Sequence, residues 1–441
     1  MSKGKSITLL TIIGVIMAAI IAMTFVRFPI GVKNYNSALG AIELDYDIEG
    51  GVAYTLTLAS DNEEEVENVD DVLNTLKQRL NDLGYTNYSM KALKSTDEAV
   101  EDYDIRIELK ATESVAEDVS AIATFGTIKF YGGSQENPTT EILVDAKVVA
   151  DSAYLGMVEE NNHMISLVFE QQAKDDLVEL ISAQDSYYLK ITCGETASGD
   201  ENILFNASIT VDAFQGNTLG VSGFNSEAAA RRSAMQMRSG GLAYKYEVSE
   251  GVAVQSPYGA DIAIKMTVAV ITLVIIAIAL LCILYRGLGL IVSLSTILFI
   301  FFETWLMIGV PGIVLSMGGI IGIIVATLVC VYAMALLSQR VKDEYAYSER
   351  TVKSAVNRGF MKSLFPTISI HVVAGVVALA LFIIASGVLK NFAVTFGIGV
   401  IVSLICTLVF TRMFTALILP LVKDKEKFLR FKRATVKEEE N

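Results

Sequence analysis

Cysteine, histidine, proline and tryptophan are scarce in this sequence. Its 441 residues include four Cys, six Pro, two His and one Trp. Cys282, Cys330 and Cys406 fall in apolar runs, so Cys193 has no partner for a disulfide in the polar part of the chain. No CxxC pair and no Cys/His spacing typical of a zinc site occurs, and we therefore expect no metal centre.

Motifs for common catalytic chemistry are also missing. The chain has no P-loop, no G-x-S-x-G and no H-E-x-x-H, which are the patterns that hold a nucleotide phosphate, a nucleophilic serine and a catalytic zinc. We therefore predict that the protein is not an enzyme and carries no cofactor. Any work that it does must draw on an energy source other than a bound nucleotide.

Apolar residues are abundant and unevenly placed. They make up 52% of the sequence, with one run at 7–28 and a nearly continuous apolar region at 262–421. Between them, residues 29–260 have the composition of a water-soluble domain, with 15 Lys and Arg against 39 Asp and Glu. This acidic domain beside basic flanks argues against nucleic acid as a partner. The apolar runs require membrane lipid or a helix bundle around them.

The apolar runs predict an α-helical membrane protein with six transmembrane helices. The first run has about 22 residues, enough to cross a hydrocarbon core about 30 Å thick. It lacks the short apolar core and the cleavage site of a signal peptide, so we expect an uncleaved anchor. The predicted spans are residues 7–28, 262–284, 290–310, 313–338, 365–388 and 392–420.

Positive charge predicts the orientation of the spans. Residues 339–362 contain six Lys and Arg, and the segment after 421 is also basic. Because Lys and Arg are retained on the cytoplasmic side, we expect both termini in the cytoplasm. The predicted regions are an N-terminal anchor at 1–28, an extracytoplasmic domain at 29–260, a five-helix membrane domain at 261–421 and a cytoplasmic basic tail at 422–441.

The extracytoplasmic region predicts an α+β domain of ferredoxin-like units. A base at about 41–135 and 213–250 would carry an inserted head at about 140–212. In the base we expect a strand at 43–59 interrupted by Gly50 and Gly51, helices at 63–83 and 113–123, and strands at 105–109 and 127–131. Further on we expect a strand at 165–169, a helix at 171–181, the start of a return strand at 209–211, a helix at 226–238 and a last strand at 244–248.

Two local patterns each have two interpretations. Asp45, Asp47 and Glu49 alternate on the first predicted strand and would share one face, as a cation site or as an ordinary solvated face, which we favour. Gly318, Gly319 and Gly322 begin the fourth predicted span. Small residues let helices approach closely in lipid, so these glycines indicate either an interface with a partner subunit or tight packing.

Several stretches resemble the SecD family of the bacterial Sec protein translocase, which belongs to the RND superfamily. YDIEGG at 46–51 is similar to the family's L-D-L-x-G-G signature, LKQRLNDLG at 76–84 to its R-x-N-x-L-G helix end, and MRSGGL at 237–242 to its R-S-G-A-L segment. The layout of one span, a large domain and five further spans is also similar. The signature positions are Asp47, Gly50, Gly51, Arg79, Gly84, Arg238, Ser239 and Gly240.

The resemblance implies a function and partners. It implies a six-span, RND-type half that assists the export of unfolded proteins across the cell membrane. The implied partners are a SecF-like subunit, the SecYEG channel and the exported chains, and the implied energy source is the proton motive force. Two alternatives stay open: half of an RND-type transporter for lipids or small molecules, and a membrane scaffold that transports nothing.

The chain departs from the family at two carboxylates. The family's fourth-span Asp, implicated in proton movement, falls on Tyr332, and the D-A-N of its fifth span falls near His371. We therefore expect a scaffold-like half whose partner carries the titrating group.

Two ionisable residues remain deep inside the apolar runs, a setting that indicates function by default. They are Glu303 and His371, and their predicted depths differ by about seven residues, or about 10 Å of helix rise, too far for direct proton transfer. Tyr332 lies at about the depth of His371, and we expect a hydrogen bond between them. Tyr332, His371 and Glu303 are thus candidates for a proton path, with packing and interhelical hydrogen bonds as the alternative.

Overall fold

The chain folds into two compact units in its computed structural model. One unit comprises Met1–Glu49 and Ser256–Asn441 and the other Gly50–Gln255; we call them the helical unit and the sheet unit. The structure describes residues 3–30, 33–59, 69–94, 103–142, 154–159, 162–184, 186–195, 201–310, 313–348, 351–385, 387–431 and 433.

The helical unit begins with one long apolar helix and four short elements. These are α1 Lys3–Phe25, β1 Phe28–Ile30, β2 Lys33–Tyr35, α2 Ala38–Ala41 and α3 Tyr46–Glu49. The strand expected at 43–59 is therefore wrong in its first half. The Asp45 carboxylate accepts a hydrogen bond from the backbone N–H of Tyr46 at 2.8 Å, and the Asp45 carbonyl accepts two more. Such local bonds favour a helical turn over a strand.

The acidic face predicted for that strand does not form. Asp45 and Asp47 are buried in the turn, whereas Glu49 is exposed. The solvated face favoured for the three residues is therefore wrong for Asp45 and Asp47. Among the described residues, no cluster of His, Cys, Asp and Glu that could hold a metal ion supports the alternative of a cation site.

The base of the sheet unit is one antiparallel sheet with two helices packed on it. Its elements are β3 Gly51–Leu58, α4 Val69–Asp82, β4 Ser89–Lys94, β5 Tyr103–Leu109, α5 Val115–Ile122, β14 Tyr246–Val248 and β15 Val252–Val254. The strand order β14-β3-β5-β4 is that of a ferredoxin-like unit. The fourth strand of this unit is β14 and not the segment at 127–131, which pairs elsewhere.

The head of the sheet unit is built from two further antiparallel sheets. Their strands are β6 Phe125–Gly133, β7 Glu141–Ile142, β8 Tyr154–Glu159, β9 Asn162–Val168, β10 Tyr187–Glu195, β11 Glu201–Ile209, β12 Phe214–Gln215 and β13 Thr218–Phe224. One sheet has the order β11-β10-β6-β7 and the other β12-β13-β9-β8. The return strand expected to start at 209–211 is wrong, because β11 ends at Ile209 and a 3₁₀ turn follows.

Two helices complete the sheet unit, α6 Gln171–Ser182 and α7 Glu227–Ser239. Both are confirmed within one residue at each end; the strand at 105–109 is confirmed with a start two residues earlier, and that at 165–169 with a start three residues earlier. The helix expected at 63–83 is present from Val69, and residues 63–68 lie outside the described residues. α7 supplies Ala230, Ala234 and Met237 to the head core and Met235 to the base core, so it joins base and head.

The remainder of the helical unit consists of long apolar helices. They are α8 Ile262–Tyr285, α9 Gly287–Gly309, α10 Met317–Ala346, α11 Val352–Ile384 and α12 Val388–Ile405, which continues through a π-helical turn at Cys406–Phe410 into α13 Thr411–Ile418, and a short α14 Lys425–Leu429 follows. With α1, six described helices are long and apolar enough to cross a membrane. The predicted number of spans is confirmed.

The polar stretch at 339–362 is mostly helical rather than a loop between spans. α10 runs on to Ala346 and α11 starts at Val352. Apolar residues at helical spacing hold the two ends together, among them Val341, Val356 and Phe360. The charged residues of the stretch therefore extend two helices beyond their apolar runs.

Candidate functional site between the membrane helices

Glu303 lies on α9 in the interior of the helical unit. Its side chain is 1% exposed, and neither carboxylate oxygen has a hydrogen-bond partner among the described residues. An ionised carboxylate at such a place is costly without a counter-charge or a hydrogen bond. Glu303 is therefore a residue that packing alone does not explain.

Glycine on the facing helix makes room for this carboxyl. A Cβ added at Gly399 of α12 would overlap Oε1 of Glu303 and the Cβ of Ala326 on α10. The thiols of Cys330 on α10 and Cys406 in the π-helical turn are close enough to interact with the carboxyl electrostatically. Two helices, α10 and α12 with its π-helical turn, thus face Glu303, and neither of them supplies a positive charge that pairs with it.

His371 lies on α11 and is 3% exposed. Its Nδ1 lies 2.8 Å from the carbonyl oxygen of Thr367 and its Nε2 lies 2.9 Å from Oγ of Ser403 on α12. Because a carbonyl only accepts, Nδ1 carries a proton, and the neutral ring accepts the Ser403 hydroxyl proton at Nε2. Protonation of Nε2 would reverse that bond and free the hydroxyl to donate elsewhere.

Buried hydroxyls continue from His371 along two helices. Positions four residues apart fall on one helix face, and the buried polar residues of this region follow that spacing. They are Ser363 and Thr367 on α11, and Thr395, Ser403, Thr407, Thr411 and Thr415 from α12 to α13. Gly399 occupies the one position in the second row without a hydroxyl. The hydroxyls of Thr367 and Thr407 have no hydrogen-bond partner among the described residues.

The second row crosses the π-helical turn at Cys406–Phe410. There the Thr411 hydroxyl donates to the carbonyl oxygen of Cys406 at 3.1 Å, and Cys330 lies beside Ser403 and Thr407. π-Helical turns are rare and occur frequently at functional sites. We call Glu303, Cys330, His371, Gly399, Ser403 and the π-helical turn the membrane centre.

Tyr332 is not part of the membrane centre. Its side chain is 59% exposed on α10, and both ring nitrogens of His371 are occupied by Thr367 and Ser403. The expected hydrogen bond between Tyr332 and His371 is therefore wrong. Of the three candidates for a proton path, Glu303 on α9 and His371 on α11 both contact α12. Tyr332 lies on an exposed face of α10.

The glycines of α10 face α12 of the same chain. A Cβ at Gly318 would overlap the carbonyl oxygen of Val388, and one at Gly322 would overlap the Thr395 hydroxyl. That hydroxyl donates to the carbonyl oxygen of Gly319 at 2.9 Å. This part of α10 is accordingly covered by tight packing inside the protomer, and a partner subunit would have to contact another face.

Asp47, the first signature position, holds the start of α10. Its Oδ2 accepts a hydrogen bond from the backbone N–H of Met317 at 2.8 Å, and its carbonyl accepts one from the Ser256 hydroxyl at 2.6 Å. A carboxylate at a helix N-terminus satisfies a free N–H group and interacts favourably with the helix dipole. Asp47 thus links the two ends of the chain that enter and leave the helical unit.

Arg79, the central signature position of the sheet unit, is a buried hub. Its guanidinium donates to the carbonyl oxygens of Ile122 and Gly240, to that of Thr124 at 3.3 Å and to the Ser239 hydroxyl at 3.1 Å. Burial lowers the pKa of Arg79 to about 10. The residue ties α4 to the C-terminal ends of α5 and α7, so its role is to stabilise the base.

The other signature residues shape the same region. Arg238 forms an ion pair with Asp82 at 3.0 Å. Gly84 has φ 95° and ends α4, a backbone conformation that glycine adopts without strain. Gly50 has φ 89°, and a Cβ at Gly51 would overlap the carbonyl oxygen of Leu109. These positions are explained by the fold of the sheet unit.

Sequence reasoning missed Gly399, Ser403, Thr407 and the π-helical turn. The four-residue repeat of small polar residues from Thr395 to Thr415 was the available signal, since it predicts a polar stripe on an otherwise apolar helix. The turn itself leaves no sequence pattern that we recognise.

The architecture is a set of apolar helices long enough to span a membrane, with a sheet-containing domain inserted in the chain after the first of them. Residues 238–420 match the family model described as protein export membrane protein SecD/SecF, C-terminal. This match over the C-terminal part of the chain confirms the predicted resemblance to SecD.

Individual relatives agree with this placement. The chain is 28% identical over 189 residues to the protein translocase subunit SecD of Escherichia coli K12, covering 43% of this chain and 31% of that protein. It is 23% identical over 409 residues to SecD of Acidaminococcus fermentans, covering 91% and 89% of the two chains. The chain thus spans about a third of the E. coli relative and most of the A. fermentans relative.

A solved structure shows the same fold. The crystal structure of SecDF in a super-membrane-facing form superimposes with a TM-score of 0.67 at 20% identity, covering 93% of this chain and 57% of that one. With the six long helices, this likeness shows a multi-pass membrane protein.

Proposed function

We propose that this protein is a non-enzymatic accessory subunit of the Sec translocase that assists the export of unfolded proteins across a bacterial cell membrane. The observation that carries the proposal is the match of residues 238–420 to the SecD/SecF model. The relation to SecD of A. fermentans over most of both chains supports it for the sheet unit as well.

The proposal includes a SecF-like partner that supplies a second set of membrane helices. Its support is that this chain corresponds to only 57% of the SecDF chain that shares its fold. α10 also keeps an uncovered apolar face, with Ile321, Leu328 and Tyr332 all exposed. We assign this face to the partner half and the exposed faces of α1, α8 and α11 to membrane lipid.

The proposed orientation places the sheet unit outside the cell and both termini in the cytoplasm. Its support is the concentration of Lys and Arg in residues 339–362 and after 421. In that orientation the sheet unit would meet chains that emerge from the SecYEG channel.

We propose that the sheet unit contacts an emerging chain at a cavity beside β11. The cavity has a volume of about 670 Å³ and is lined by α5, α7, β14 and the starts of β6 and β11, including Phe125, Ile203 and Gln236. Ile203 is 49% exposed, and among the described strands β11 pairs only with β10. A sheet edge with free backbone groups binds extended peptides by adding a strand.

A pulse-chase measurement of a secreted precursor tests the proposed function. Cells depleted of this chain are compared with undepleted cells, each with and without an ionophore that collapses the proton gradient. We expect slow precursor processing in depleted cells, and no further slowing by the ionophore. Normal processing after depletion would contradict an export role and favour the lipid-transporter or scaffold alternatives.

The Ile203 position gives a matched pair of variants for the cavity. Ile203→Lys places a charge at the β11 edge and should slow processing, whereas Leu93→Lys changes an exposed apolar residue on β4, away from the cavity, and should leave it unchanged. Equal rates for the two variants would remove the cavity from the proposal.

A further inference from the structure

We propose that a cavity at one end of the helical unit binds the phosphate headgroup of an anionic membrane phospholipid. The cavity has a volume of about 550 Å³ and lies between the first turns of α11, α13 and the start of α14. This site goes beyond the proposed function. Only its assignment to the cytoplasmic leaflet rests on the orientation proposed above.

Matching faces of two helices form the walls of the cavity. α11 contributes four residues from Lys353 to Phe360, and α13 contributes a similar set from Arg412 to Leu419, just past its end. Both sets have the spacing i, i+3, i+4 and i+7, which places their members on one face of a helix. Pro420 and Lys425 complete the lining. The cavity is therefore built entirely by elements of the helical unit.

The charges of the lining are all positive. Lys353, Arg412 and Lys425 come from three different elements, and none of the described residues that line the cavity is acidic. Among the described residues, none forms an ion pair with these three, whereas the other two Lys and Arg residues of α11 pair with Glu344. Like charges that share a cavity repel one another. The cavity is thus complementary to an anion.

The depth of Arg412 indicates that the anion belongs to the membrane. Arg412 lies six residues before the end of α13, about 9 Å of helix rise, in a helix long and apolar enough to cross a membrane. Its side chain is exposed. A basic side chain near the end of such a helix extends toward the lipid headgroups, and basic pockets between membrane helices bind the headgroups of anionic lipids.

An exposed apolar stripe continues from the cavity along α11. Asn357 lines the cavity, and Met361 and Phe365 follow it at four-residue spacing on the same helix face. Met361 is 58% exposed and Phe365 is 82% exposed. The acyl chains of a phospholipid whose phosphate lies in the cavity would cover this stripe, whereas a free phosphate ion would leave it bare. The stripe therefore favours a phospholipid over a soluble anion.

Native mass spectrometry of the purified full chain in detergent tests the proposal. The probes are dioleoyl phosphatidylglycerol, the zwitterionic dioleoyl phosphatidylcholine, and inorganic phosphate, which has no acyl chains. We expect the first bound lipid to be phosphatidylglycerol, preferred about tenfold or more over phosphatidylcholine. We expect inorganic phosphate not to displace it.

Variants assign the binding to the cavity. Arg412→Gln and Lys353→Gln should each weaken phosphatidylglycerol binding about fivefold, because each Lys or Arg near an anionic headgroup contributes on this scale. Arg412→Lys keeps the charge and should retain most of the affinity. Arg340→Gln is the matched control, since it removes an exposed charge from α10 outside the lining, and it should leave the binding unchanged.

Three results would overturn the proposal: equal binding of the two lipids, displacement of phosphatidylglycerol by inorganic phosphate, or the same loss in Arg340→Gln as in Arg412→Gln. If Arg412→Gln does not fold, Lys353→Gln, at an exposed position in the first turn of α11, provides the test. Binding is measured on the purified chain. Normal precursor processing in depleted cells would therefore contradict the export role and leave the lipid site unaffected.

Discussion

The two units bury a charged side chain in opposite ways. In the sheet unit, Arg79 is fully buried and its guanidinium meets three carbonyl oxygens and one hydroxyl. In the helical unit, Glu303 is equally buried and neither oxygen has a partner among the described residues. A polar network whose hydrogen bonds are all satisfied makes a fold rigid. An unsatisfied buried group costs free energy, and no hydrogen bond offsets that cost. The comparison distinguishes a buried ionisable group that holds structure from one whose burial the packing does not explain.

Replacing Arg79 tests the structural side of this comparison and should have the largest effect. Arg79→Met leaves the carbonyl oxygens of Ile122, Thr124 and Gly240 without donors, so we expect a loss of about 3 kcal/mol or more in stability. Hydrogen exchange of peptides from α4 and α7 in the full chain measures it. Lys91→Met, on an exposed position of β4, is the control; equal exchange in both variants would show that the hub is dispensable.

A glycine substitution in the packing between α10 and α12 should reduce stability nearly as much as Arg79→Met. Gly322→Ala forces a Cβ onto the Thr395 hydroxyl, and we expect thermal unfolding in detergent to reveal a loss of about 1–3 kcal/mol. Gly375→Ala on α11 is the matched control, since no atom lies within 4 Å of its added Cβ, and it should be neutral or stabilising. If both substitutions were harmless, loose packing would account for the unpaired Glu303 and the comparison would fail.

Cys193 probes the interior next to Arg79. Burial raises the pKa of Cys193 to about 11, above its ordinary value of 9.0. The unfolded chain therefore loses the thiol proton first, so the stability contributed by this group is complete below about pH 9 and is lost as the pH rises toward 11. Cys193→Ala should remove up to about 2 kcal/mol of that decline. Hydrogen exchange of β10 peptides at pH 8 and pH 10 measures this loss of stability in the native protein and in Cys193→Ala. Equal losses in the two proteins would refute the assignment of the decline to Cys193.

Removing the Glu303 carboxyl should have the smallest effect on stability. Glu303→Leu replaces an unpaired buried carboxyl side chain with an apolar side chain of similar size. We expect unchanged stability or a gain of about 1 kcal/mol. Detergent unfolding of the full chain provides the measurement. Destabilisation as large as that of Arg79→Met would instead make Glu303 a structural residue and erase the difference between the units.

Much of this fold follows from sequence patterns that act locally. The apolar runs predict the six spans, and the 3.6-residue spacing of Leu73, Leu76 and Leu80 predicts α4. Resemblance at Arg79 and Gly84 marks the place where α4 ends. In these cases both the sequence pattern and the element that it predicts involve residues close together in the chain. A single sequence is therefore enough to predict the element.

The errors concern partners that are distant in the chain. The segment at 127–131 has the composition of a strand, and nothing local shows that it pairs with β10 while β14 completes the base sheet. Counting residues from the membrane surface placed Tyr332 beside His371, but the direction in which each side chain points depends on the rotation of its helix. The residues of the membrane centre likewise lie on four different spans. Only Glu303 and His371 among them stand out in the sequence, because they are ionisable residues inside apolar runs.

The position of β14 also dictates an order of assembly. Leu58 at the end of the first base strand pairs with Tyr246, so the intervening head must be synthesised before this sheet can close. Contacts between such distant residues form slowly because a long loop must be closed first. The head sheets can form while the base is still open, which makes the base the last part of the sheet unit to be completed and the part most exposed to misfolding before the final strand arrives.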